Sequence, residues 1–211
     1  LAINPESQGK LAWYHEWYPN VVTDFHEMGS QSTYFFEPMK ANGSLDPIMP
    51  KENYIKLNDI FATYFSKQLD SIGSLYFTKE VFDGTYPGYG SSYPDLQGGL
   101  GILFEQASSR GLKQKTAFGE ITFPFTIRNQ YVSSLATVQA AVENKKTLRQ
   151  YQKEFFKSAL ERSTKSKIKA YTFKDEDQNK TQAFIDKLLR HKIEVYQTAK
   201  NSFSVPTEQK Q

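Results

Sequence analysis

At 211 residues, with 38% hydrophobic and 15% aromatic side chains, the chain is long enough to bury a substantial core in one large domain, with or without a small appendage. No apolar run approaches the ~20 residues of a membrane-spanning helix, and the absence of cysteine excludes disulfides, thiolate ligands and cysteine nucleophiles, so any metal must sit on His, Asp or Glu. The net charge of +3 is uneven: residues 1–142 carry 10 basic and 14 acidic side chains, whereas residues 143–192 carry 14 and 7. That basic region alternates with acids on a helical pattern and lacks interleaved aromatics, which describes a solvated face and argues against a nucleic-acid partner.

The chain opens L-A-I-N-P-E, with neither an initiator Met nor a leader, as expected of a piece of a longer protein. Leu11–Tyr18 is aromatic-rich and helical in pattern, and it stops at Pro19. Val21–Phe25 then reads as a short buried strand, with His26 and Glu27 at its carboxyl end. From Lys51 to Ile72, Tyr54, Leu57, Phe61, Tyr64 and Phe65 recur at helical spacing between Pro50 and Gly73. Leu75–Thr78 has strand character, and Gly84–Gly101 holds six glycines and two prolines and is a loop.

Gly101-Ile-Leu-Phe-Glu-Gln-Ala reads as a second buried strand, carrying Glu105 towards its end. A long helical pattern from Ser133 to Arg162 follows, with a possible break near Asn144. Ile168–Phe173, Gln178–Arg190 and Ile193–Tyr196 then form a strand–helix–strand pattern, and the Gln- and Lys-containing end reads as a frayed terminus. The expected division is 1–163 for the larger domain and 164–211 for a small α/β appendage.

Only three histidines are present: His15, His26 and His191. His191 follows L-L-R at a helix end, where it suits the carbonyl end of the dipole, and His15 lies in an aromatic helical segment with a packing or surface role. His26 differs, because Asp24 two residues earlier shares its strand face and would orient its imidazole as carboxylates orient metal-bound histidines. A satisfied polar strand end is the other reading. Glu105 in a buried strand is costly unless paired with Arg110 or Arg128, or else functional with a raised pKa suited to a general base.

The order V-T-D-F-H-E-M-G, then a Tyr/Gly-rich loop, then G-I-L-F-E-Q-A-S-S-R-G resembles the C-terminal half of a zinc metallocarboxypeptidase of the carboxypeptidase A type, over about residues 1–130. The wording H-E-M-G and T-Y-F-F-E-P resembles bacterial, often exported members, which favours a periplasmic or secreted location. The resemblance implies a mixed, largely parallel sheet flanked by helices. It implies His26 as a Zn2+ ligand and Glu105 as the catalytic base towards water activated by one zinc ion. It gives Tyr86, or its rival Tyr89, as the loop residue closing over a peptide substrate. Tyr93 and Asp95 occupy the place that sets specificity, where an inward Asp95 would favour a basic terminal residue.

The family's H-x-x-E ligands and its carboxylate-holding arginines are missing, the nearest run being H-E-W-Y at His15. The expectation is therefore a fragment whose remaining zinc ligands and whose N-terminal half lie upstream of Leu1. Cutting cell-wall peptides or an amide on the same site, and a scaffold that keeps the fold without the metal, are the alternatives.

Overall fold

The computed structural model describes residues 2–41 and 43–209. It is mixed α/β and divides into two compact units, Pro19–Gln150 and Leu1–Tyr18 with Tyr151–Gln211. The expected boundary at 163/164 thus lies inside the smaller unit, which also takes in helix α1 (Pro5–Trp17). No helix among the described residues is long and apolar enough to cross a membrane.

The larger unit is built on three strands, β1 (Val21–Met28), β2 (Tyr34–Phe36) and β3 (Leu100–Ala107), in the order β1-β3-β2. β3 lies parallel to β1, in register from Val21 opposite Leu100 to Met28 opposite Ala107, and antiparallel to β2. Every residue of β3 is buried, as its near-continuous apolar run requires of a central strand covered on both faces. Its centre is Phe104, which stacks on Phe25 with ring centroids 4.6 Å apart and meets Phe65 edge-on at 4.8 Å. Mixed pairing is present, but parallel pairing between named strands of the described residues is confined to β1 and β3. A hairpin connection can join only antiparallel neighbours.

A π-helical turn, Glu52–Leu57, runs into α2 (Asn58–Ser71), which buries Phe61, Phe65 and Leu69 at four-residue spacing. Gly73, at φ 65°, ends it in the left-handed conformation that glycine adopts without penalty. Phe77, expected in a strand, makes only an isolated bridge with Phe35. The glycine-rich loop contains one short helical turn, α3 (Ser92–Asp95).

After β3 the chain makes a hairpin not foreseen from sequence, β4 (Lys113–Thr116) and β5 (Gly119–Thr122). Then α4 (Phe123–Glu143) begins ten residues earlier than expected, with Pro124 in its first turn, where a missing N–H costs nothing. Its core face is small or polar (Thr126, Asn129, Ser133, Ala136, Thr137 and Ala140). Its outer face presents Phe123, Ile127, Tyr131, Leu135, Val138 and Val142, all exposed. The break expected near Asn144 separates α4 from α5 (Lys145–Lys165).

In the smaller unit, β6 (Ala170–Lys174), α6 (Gln178–Arg190), β7 (Tyr196–Ala199) and β8 (Ser202–Pro206) form a helix and an antiparallel sheet ordered β6-β8-β7. Ser202–Pro206, expected to fray, is the central strand. Phe203 alternates onto the face where it stacks with Phe173 at 5.3 Å, and Phe184 of α6 covers Phe173. Asp177 caps α6 by accepting from the Lys180 amide at 3.1 Å.

Candidate functional site

The parallel register sets His26 directly opposite Glu105. Each is the sixth residue of an eight-residue strand, so both lie towards the carboxyl ends, where open α/β sheets place their ligands. Directly paired residues project from the same face, and alternation returns Asp24 to that face. Asp24 Oδ1 lies 3.0 Å from His26 Nε2. That contact fixes the ring and leaves Nδ1 available to a metal or substrate.

Glu105 is 9% exposed. Burial pushes its carboxyl above the ordinary range; the His26 imidazole beside it acts downward, and the Asp24 carboxylate acts upward. Neither Arg110 nor Arg128 forms an ion pair with it among the described residues, and Arg128 instead lies over the Phe125 ring at 4.9 Å. Asp24, His26 and Glu105 therefore form one electrostatically connected set towards the ends of two strands, in which burial raises the proton affinity of the Glu105 carboxyl.

The loop between Gly84 and Gly101 reaches this set through Gly90, whose Cα faces the Asp24 carboxylate so closely that a Cβ would strike Oδ2. Tyr89 is thereby brought within one residue of the Asp24–His26 pair. It packs edge-on against Tyr86, centroids 5.2 Å apart, and both rings are about half exposed. Tyr93 is half-buried in the short turn that follows.

Asp95 is placed elsewhere. It is 1% exposed, and its Oδ1 accepts from the Gly101 amide at 2.6 Å and from Asn53 Nδ2 at 2.8 Å, so it ties the loop to the first residues of β3. Burial pushes its carboxyl up to about 8. Glu37, also fully buried, accepts from the Leu103 amide at 2.9 Å; burial and then the negative charge of Asp95 hold it well above the carboxylate range. These two acids brace the central strand on the approach to Glu105.

As a zinc site the described residues supply a fitting part. His26 offers one imidazole nitrogen, oriented through its other nitrogen by a carboxylate, and the buried Glu105 carboxyl is paired directly opposite it. No cluster of three or more His, Cys, Asp or Glu side chains arranged to hold a metal occurs among the described residues. His15 and His191 stand 6.5 Å apart in the other unit.

Glu27, to which the sequence assigned no role, lines a cavity at the end of the site's strands, with Ser108 and Arg110. The signal was position: these residues follow His26 and Glu105 by one to five places. Compared with known proteins, the chain matches no family model, no curated protein and no solved structure.

Proposed function

We propose that the chain carries part of the active site of a zinc metallocarboxypeptidase, with His26 as a metal ligand and Glu105 as the general base. The observation that supports this is the in-register juxtaposition of His26 and Glu105 on parallel strands, beside a tyrosine-bearing loop. The carboxypeptidase-like reading of the sheet rests on the same parallel pair.

His26 would hold the metal through Nδ1, with Asp24 on Nε2 fixing the ring. A bound zinc ion would supply Lewis acidity towards the scissile carbonyl and acidify a neighbouring water. Glu105 accepts the proton of the attacking water and returns it to the leaving amine; burial raises its proton affinity towards what that exchange needs. Tyr89 or Tyr86 closes over the terminal residue of the peptide.

A catalytic zinc site needs three protein ligands. Two of them must therefore come from polypeptide outside the described residues, and the same segment would supply the groups that hold the substrate's terminal carboxylate. The test is zinc content and hydrolysis of short peptides, both with free and with blocked amino ends, by protein that includes that segment. Glu105→Gln should lower kcat by about 10²–10⁴-fold at unchanged zinc content, and turnover that survives the substitution would remove Glu105 from its role. A substrate panel separates a peptidase of C-terminal bonds from one cutting cell-wall peptides or amides, and a metal-free scaffold would show neither zinc nor turnover.

A further inference from the structure

At the carboxyl ends of β1 and β3 lies an open cavity of 670 Å³, lined by Glu27–Ser30, Ser108–Leu112, Gln114 and Phe123. Its size falls within the ~300–1,000 Å³ of ligand pockets, and its position is where parallel strands deliver ligands. The lining combines the apolar side chains of Met28, Leu112 and Phe123, the last two exposed, with two opposite charges, Glu27 and Arg110.

The two charges form no ion pair with each other among the described residues. Ser108 Oγ donates to Glu27 Oε2 at 3.0 Å and accepts from the Arg110 amide at 3.1 Å, so one hydroxyl fixes both the carboxylate and the backbone that carries the guanidinium. The Gln114 side-chain amide bonds the Arg110 carbonyl and fixes that backbone further. The Arg110 guanidinium has no ion-pair partner among the described residues. A lone anionic ligand would meet Glu27 and a lone cationic one Arg110, so the ligand that satisfies both carries an ammonium and a carboxylate.

We infer that this cavity seats the unblocked amino end of a short peptide with an acidic first side chain, the ammonium at Glu27 and the carboxylate at Arg110. That the ligand is a peptide rests on the peptidase reading, and the cavity then lies beyond His26 and Glu105 on the substrate's amino side. Substrates would be short and unblocked, because an amino terminus seated there leaves room for only a few residues before the scissile bond.

The experiment is titration of this chain, followed by NMR, with four tripeptide amides: Glu-Ala-Phe and Gln-Ala-Phe, each with a free and an acetylated amino end. The amide end leaves the first side chain as the only carboxylate. We expect the free Glu peptide to bind about tenfold tighter than acetylated Gln, each charge contributing about threefold as partly exposed pairs do. Arg110→Gln should erase the Glu/Gln difference alone, and Glu27→Gln the free/acetylated difference alone. Equal binding of all four peptides to the unsubstituted chain overturns the inference without any variant, as does a Glu preference that survives Arg110→Gln. Neither zinc nor turnover enters this titration. Charge preference without hydrolysis would sink only the peptidase reading, and hydrolysis without charge preference only the cavity assignment.

Discussion

Glu105 sits where its negative charge is least welcome, in the central strand with a raised proton affinity. The folded state therefore holds its proton more tightly than the unfolded chain does. The stabilising contribution is complete below the ordinary carboxyl range and is lost as pH rises through the folded value. Glu105→Gln should consequently raise stability at pH 7, by the ~0.5–2 kcal/mol typical of a stabilising substitution, while lowering the turnover proposed above. Equal urea midpoints at pH 7 for the two proteins would contradict this. Asp95, pushed up to about 8, and Glu37 act in the same direction. We expect the denaturation midpoint of the larger unit to fall between pH 5 and pH 8. Asp95→Asn, which can still accept from Gly101 and Asn53, should flatten that fall, and an unchanged pH slope would place the titration elsewhere.

For single elements, legibility depended on how local the determinant is. The strands at Val21 and Gly101, the helix ending at Gly73 and the break at Asn144 were readable because periodicity and breakers act over a few residues, but the burial expected of Val21–Phe25 is not found, since β1 is an edge strand and half-exposed. The pairing of Asp24 with His26 was readable too, being an i, i+2 relation on one strand. The register that sets His26 against Glu105 was not, since it is fixed by packing between segments about eighty residues apart. Two strand pairings were passed over because their alternation is short and polar, K-Q-K-T with G-E-I-T, and S-F-S-V-P near the end. The opening of α4 was hidden because Thr122, Pro124 and the flanking Phe123 and Phe125 carry turn and strand preferences as well as a helix-start signal. Gly101 shows why a strand of large apolar residues keeps one glycine: a Cβ there would overlap the Ser91 carbonyl. Gly101→Ala should cost about 3 kcal/mol or more, because backbone rather than a flexible side chain must yield. A melting temperature within a degree of the parent would refute that close approach.

Across the whole molecule, the two units should respond to pH in opposite senses. In the smaller one, burial lowers the proton affinities of both His15 and His191; the charge of His191 and then Lys192 lowers His15 further, and Lys187 lowers His191. A depressed histidine contributes stability that is present above its unfolded value near 6.5 and lost as pH falls through the folded value. Protection factors, corrected for the intrinsic slowing of exchange in acid, should therefore fall in β6, β7, β8 and α6 between pH 7 and pH 5, while those in the core of the larger unit rise. A uniform fall across both units would contradict separate titration. No single stretch of sequence announces this opposition, because it depends on which acids are buried in one unit and which imidazoles in the other.

The outer face of α4 carries a consequence for anyone handling the protein. Six large apolar side chains from Phe123 to Val142 stand exposed along one helix of an otherwise folded unit. A fluorescent dye that lights up on apolar surface should glow with the native chain in plain buffer. The usual signature of a molten globule would then appear with no loss of tertiary packing. Unfolding should dim that signal as the stripe disperses, so a dye-based melt would run upside down.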